Sequence, residues 1–172
     1  EHGGYLAGKY LTDNGHKEIG CITGPLHRHQ AQIRFSGFNN AMQEAGVQVN
    51  PEWVVESNFE CDGGYDAFNQ LFERESLPTA LFVCNDMMAM GVINAANEKG
   101  IRIPQDLSII GYDDIYISQY MVPSLTTIHQ PKFRLGKAAV DKLLQRIEGA
   151  ESESESVKLE PTLVTRDSVK MI

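Results

Sequence analysis

Ala80-Leu81-Phe82-Val83-Cys84-Asn85-Asp86-Met87-Met88-Ala89-Met90-Gly91 is an apolar run, two polar residues, and then a second apolar stretch of different period. The run 80–84 is unbroken, which suits a strand covered on both faces. Met87, Met90, Val92 and Ile93 recur at helical spacing, and Gly100 is placed to end that helix. Asp86 reads as its N-cap in preference to a ligand contact. A covered strand feeding an amphipathic helix is half of a βαβ unit, because parallel strands need a helical crossover.

The same alternation extends outward in both directions. Upstream, Tyr5, Leu6, Lys9, Tyr10 and Leu11 have helical spacing and Gly15 can end the helix as a C′ residue. Ile19-Gly20-Cys21-Ile22-Thr23 is a short strand closed by Gly24-Pro25. Phe35, Phe38, Ala41, Met42 and Ala45 make a helix face stopped by Gly46. Trp53-Val54-Val55 reads as a strand, and Tyr65, Phe68, Leu71 and Phe72 as the next helix. Downstream, Leu107-Ser108-Ile109-Ile110 is the fourth strand. This spacing predicts an α/β fold with a doubly wound parallel sheet and right-handed crossovers. After Pro123 the texture changes. Thr126-Thr127-Ile128 is β-branched, and Leu135, Ala138, Ala139, Leu143, Leu144 and Ile147 form a long amphipathic helix. Residues 151–156 alternate Glu and Ser as an acidic solvated loop, and 159–165 read as a closing strand.

Composition narrows the function classes. The chain has 172 residues, 42% hydrophobic and 22% charged, an ordinary globular balance. Its net charge of −8 disfavours non-specific contact with nucleic acid or anionic membrane, so the chain does not account for DNA binding by itself. No apolar run approaches the roughly 20 residues that span a bilayer. Glu1-His2-Gly3-Gly4 lacks signal-peptide features and an initiator Met, as expected of a piece of something longer. Cys21, Cys61 and Cys84 are odd in number with no C-x-x-C, which points to a reducing cytoplasm, and Cys21 and Cys84 read as buried thiols in apolar strands.

Ligands of open α/β sheets bind beyond the carboxyl ends of the strands. The first predicted strand is followed by Arg28, Gln30 and Arg34, the second by Phe59, the third by Asn85 and Asp86, and the fourth by Asp113 and Asp114. A guanidinium and a carboxylate can bracket adjacent hydroxyls, an amide donates and accepts at once, and a ring covers a C–H face. Such a set suits a sugar. Phosphate-loop, dinucleotide and nucleophile-elbow motifs are absent, and no nucleophile stands beside the Asp113-Asp114 pair, so no enzyme is expected. His27 and His29 flank Arg28 without an acidic or cysteine partner at ligand spacing, so neither a metal nor a cofactor is expected.

Several segments, in order, resemble the lactose/galactose repressor family. They include Gly4-Tyr5-Leu6-Ala7-Gly8, Thr23-Gly24-Pro25-Leu26, Arg34-Phe35-Ser36-Gly37-Phe38 and Asn85-Asp86-Met87-Met88-Ala89-Met90-Gly91. Ile103-Pro104-Gln105-Asp106-Leu107-Ser108, Ile110-Gly111-Tyr112-Asp113-Asp114 and Pro123-Ser124-Leu125-Thr126-Thr127-Ile128-His129-Gln130-Pro131 continue the match. Ribose-type members are the nearest in pattern, purine-type members next. The resemblance implies a two-lobed, periplasmic-binding-protein-like effector domain. It assigns 1–122 to a C-terminal lobe, 123–150 to a return segment into the N-terminal lobe, and 151–172 to the acidic loop and closing strand. The DNA-binding headpiece would lie outside this chain. The family pattern carries effector contacts onto Arg34, Phe59, Asn85, Asp113 and Gln130. Asn85 together with Arg34, Asp113 and Gln130 favours ribose or another pentose, while Arg28 matches an arginine of the purine-type pocket.

The function implied is a cytoplasmic repressor, a homodimer that couples a small-molecule effector to operator DNA through its headpiece. Effector would lock the two lobes and shift the population of headpiece spacings. Pentose binding would release DNA, whereas purine binding would act as corepression. A solute-binding protein of a sugar transporter, with the same fold and pocket, is the alternative from another class.

Overall fold

The computed structural model describes residues 1–148 and 156–172, so the predicted acidic loop lies outside the described residues apart from Ser156. Among the described residues, five α-helices and six strands alternate except between the fourth and fifth strands: α1 (His2–Asp13), β1 (Ile19–Thr23), α2 (His29–Glu44), β2 (Val54–Glu56), α3 (Cys61–Phe72) and β3 (Ala80–Val83) come first. They are followed by α4 (Asp86–Glu98), β4 (Ser108–Asp113), β5 (Thr126–His129), α5 (Lys132–Ile147) and β6 (Thr162–Val164). Among the described residues the strands form one sheet in the order β2-β1-β3-β4-β5-β6. The first five run parallel and β6 is antiparallel to β5.

The strand order reverses direction between β1 and β3, where Cys21 pairs with Phe82 and Ile22 with Val83. Right-handed crossovers then put α2 on one face and α3 with α4 on the other, giving the expected doubly wound arrangement. α1 packs on α2 and reaches the sheet as far as β6. A Cβ on Gly4 would lie 1.9 Å from the Arg34 carbonyl, so the α1 and α2 backbones touch only because Gly4 has no side chain. That approach sets the height of α2, and with it Arg34, above the sheet.

Strands β1 and β3 are buried at every residue, as unbroken apolar runs require when both faces are covered. Phe82 links the core layers: its ring centroid lies 5.5 Å from Phe38 on α2 and 6.5 Å from Tyr112 on β4. By contrast, α5 buries none of its residues, and Phe133, Val140, Leu143, Leu144 and Ile147 stand exposed along it.

Two expectations change. Trp53 closes a 3₁₀ turn at Pro51–Trp53 rather than starting the strand, because Pro51 and the Asn50 cap favour a tight turn there. The turn directs the Trp53 indole N–H to the Ser76 carbonyl at 3.0 Å. Asp86 does not cap α4: Asn85 does, its Oδ1 accepting the Met88 N–H at 2.9 Å, and Asp86 is drawn fully into the interior. Past residue 123, β5 and β6 continue the same sheet beside β4.

Candidate functional site

The carboxyl edge of the sheet, at the reversal between β1 and β3, is where an α/β sheet opens a crevice. Arg34 projects there from the second turn of α2. Its Nη1 donates to the Cys84 carbonyl just past β3, and its Nη2 donates to Asp113 Oδ1 at 3.1 Å. The guanidinium lies 3.9 Å from the centroid of the Tyr112 ring and 5.8 Å from that of Phe59. Gln130, just past β5, donates through Nε2 to the same Asp113 oxygen. Both members of the Arg34–Asp113 pair are largely shielded, with side-chain exposures of 12% and 21%.

Asn85 spends its amide on the frame. Nδ2 donates to the Phe59 carbonyl at 2.7 Å, while Oδ1 caps α4, which leaves one hydrogen and one lone pair free. The amide thereby holds Phe59 at φ +73, a left-handed conformation that needs outside support. A Cβ on Gly24 would sit 2.0 Å from the Phe59 ring, so the glycine after β1 is what admits that ring. Asp113 and its neighbour also have positive φ, 108 and 50 respectively, and their side chains part. Asp114 turns away to accept from Arg166 Nη2 at 2.8 Å and His129 Nδ1 at 2.9 Å. Burial alone would raise its pKa, but the hydrogen bonds from Arg166 and His129 prevail and hold it below the usual carboxylate value.

The structure thus brings Arg34, Phe59, Asn85, Asp113 and Gln130 together. Arg28 and Gln30 are not part of that cluster. Arg28 is the backbone N-cap residue of α2 and Gln30 lies in its first turn; both are exposed, and no side-chain hydrogen bond joins either to the cluster among the described residues. His27 and His29 are exposed beside them, and no three His, Cys, Asp or Glu side chains gather as a metal site among the described residues.

Sequence reasoning missed Tyr112. Its ring lies under the guanidinium, and burial pushes its hydroxyl pKa up, against the opposing pull of Arg34. Its place in β4 directly before Asp113 was the available signal. Also missed were the buried hydroxyls of Thr23 and Ser57, at the ends of β1 and β2. Neither has a hydrogen-bond partner among the described residues.

Comparison with known proteins identifies the family of this fold. Residues 9–169 match the periplasmic binding protein-like domain family. The HTH-type transcriptional repressor PurR of Pasteurella multocida is 52% identical over 168 residues, covering 98% of this chain and 50% of that protein. PurR of Haemophilus influenzae is 52% identical over 174 residues, covering 99% and 52%. The chain therefore spans about half the length of the curated relatives it matches. Among solved structures, a LacI-family transcriptional regulator from Enterococcus faecium with bound ribose has a TM-score of 0.89 at 34% identity, covering 99% of this chain and 63% of that one. A sugar-binding LacI-family regulator from Escherichia coli complexed with phosphate has a TM-score of 0.92 at 27% identity, covering 99% and 61%. No helix among the described residues is long and apolar enough to cross a membrane. The chain belongs to the periplasmic binding protein-like domain family, in the form found in the effector-binding domains of LacI-family regulators.

Proposed function

We propose that this chain senses a purine base for a cytoplasmic bacterial transcriptional repressor, with the purine acting as corepressor. The observation that carries this is the 52% identity to repressors named PurR across nearly the whole chain. The pocket chemistry supports it. Phe59 offers a ring face, the Arg34–Asp113 pair offers a charge-assisted donor and acceptor, and the exposed Arg28 is free to reach a base edge. Asn85, the residue that favoured a pentose, has half its amide committed to Phe59 and the α4 cap, so it speaks less strongly for a sugar.

In this reading α5 turns its exposed apolar face into a second lobe, and effector held between the lobes shifts their arrangement. A headpiece outside this chain binds operator DNA as part of a homodimer. The protein is a regulator and not an enzyme. Ribose is the second reading, favoured by the ribose-bound structure at 34% identity and by the joint presence of Arg34, Asn85, Asp113 and Gln130. A transporter's solute-binding protein has less support, since the relatives named above are repressors or transcriptional regulators.

The test is thermal unfolding of the intact repressor with hypoxanthine, guanine, ribose, other pentoses and hexoses. A ligand that binds only the native state raises the midpoint by mass action. A rise with the purines alone is expected. A rise with ribose alone would overturn the purine assignment, and no rise with any of them would overturn the effector reading.

A further inference from the structure

Asp86 is fully buried, caps nothing, and lies beside the site with no role in it so far. Its carboxylate takes three hydrogen bonds. Oδ2 accepts the Ile115 N–H at 2.9 Å and the Ser118 hydroxyl at 2.6 Å, and Oδ1 accepts the Thr127 hydroxyl at 2.6 Å. The Thr127 hydroxyl oxygen in turn accepts the Asp114 N–H at 3.4 Å. Asp114 and Ile115 are the two residues after Asp113, so Asp86 grips the turn on its far side. Gly111 leaves it the room, since a Cβ there would meet Asp86 Oδ1 at 2.3 Å.

A buried carboxylate is costly unless its lone pairs are filled, and these are filled from segments that no other side-chain hydrogen bond joins to α4 among the described residues. Burial raises its pKa, and the bonds from Ser118, Thr127 and Ile115 oppose the rise. The turn needs a grip. Asp113 at φ 108 and Asp114 at φ 50 hold conformations that persist only where surrounding structure imposes them.

We propose that Asp86 is the positioning residue of the effector site, clamping Ile115, Ser118 and Thr127 so that the strained turn keeps Asp113 aimed at Arg34 and at bound effector. The binding half of this inference rests on the proposed effector function; the clamp itself does not. It is tested in the intact repressor with Asp86→Asn, Thr127→Val and Thr127→Ser, by amide hydrogen exchange without ligand and by calorimetric titration with hypoxanthine and ribose. Asp86→Asn is expected to speed exchange at Ile115 and weaken binding, each by about tenfold, the value of roughly one hydrogen bond. Thr127→Val should do the same, and Thr127→Ser, which keeps the hydroxyl, should restore wild-type affinity. Unchanged exchange at Ile115 in Asp86→Asn overturns the clamp. Faster exchange with unchanged affinity overturns its role in the site and leaves Asp86 merely structural. If the wild type binds neither probe, the positioning role falls together with the effector reading, and exchange at Ile115 still decides whether Asp86 holds the turn.

Discussion

The Arg34 guanidinium lies 3.9 Å from the centroid of the Tyr112 ring, so its cation rests on an aromatic face as well as on Asp113. With the Cys84 carbonyl as a third partner, Arg34 is held from below and from both sides. The site is therefore preorganised around the cation, and the carboxylate is the member that can be removed without releasing it.

Asp113→Ala should abolish the response at effector concentrations that only just saturate the wild type, and keep the fold. Arg34 retains Tyr112 and the Cys84 carbonyl, while the loss of a charge-assisted hydrogen bond weakens binding by about 10- to 100-fold. Titration of effector into wild type and variant checks this, with melting curves as the fold control. A full response in the variant would remove Asp113 from the site.

Gly24→Ala acts on the aromatic side of the pocket. The new methyl group would meet the Phe59 ring at 2.0 Å, and a ring can swing away where backbone cannot. Effector affinity should fall by about tenfold while the unfolding midpoint moves little, because only one side chain is displaced. A parallel loss in Phe59→Ala would place both changes on the same contact. Wild-type affinity in both variants would show that the ring does not touch effector.

What was legible in the sequence followed from period and position. β3 and α4 were readable because an unbroken apolar run and a 3.6-residue repeat adjoin at residues 84–86, and the strand-end rule located Arg34, Asn85 and Asp113. Asp86 and Asn85 exchanged roles because both residue types cap helices well, and only the tertiary partners Ile115, Ser118 and Thr127 decide between them. Tyr112 escaped notice for the same kind of reason. Its value lies in facing a guanidinium 78 residues away in sequence, which no local pattern records. The preference for ribose rested on Asn85 standing with Arg34, Asp113 and Gln130 in the family pattern, and the hydrogen bond from Asn85 to the Phe59 carbonyl cannot be seen in a motif.

His16 makes stability depend on pH. It is buried, with Nδ1 2.9 Å from the Thr79 hydroxyl and Nε2 3.1 Å from the Lys170 carbonyl, and burial chiefly holds its pKa below the ordinary 6.5. The unfolded chain then takes up a proton that the folded chain resists. The His16 contribution is thus fully present above about pH 6.5 and is lost as pH falls through the window beneath it. Urea midpoints at about pH 7.5 and about pH 5.5 should drop more in wild type than in His16→Gln. Equal drops would show that His16 is not the responsible group.

Phe82→Ala should be among the most damaging core changes. The ring is fully buried between Phe38 and Tyr112, so its removal leaves a cavity under the site and costs about 3–5 kcal/mol. For a chain of this size the midpoint should fall by roughly 10 °C. Phe82→Leu, which refills most of the volume, should recover much of that loss in the same melting experiment.

Under the proposed function, Arg28 is the residue whose removal should separate the two effector classes. Its exposed guanidinium at the head of α2 belongs to no hydrogen bond among the described residues, and a cation at a helix N-terminus works against the dipole, so folding gives no reason for it. A purine presents ring nitrogens and an exocyclic oxygen that a guanidinium can grip bidentately, whereas ribose presents hydroxyls and a ring oxygen, which in the proposed pocket would fall to Arg34, Asp113 and Gln130. Arg28→Ala should therefore leave the melting curve of the free protein unchanged and cut hypoxanthine affinity by about 10- to 100-fold. Arg28→Lys should recover little of it, because a point charge cannot reproduce the planar fork. Undiminished hypoxanthine binding in Arg28→Ala would move base recognition elsewhere in the cleft, and binding of ribose that ignores Arg28 while hypoxanthine fails to bind even the wild type would return the pocket to a pentose.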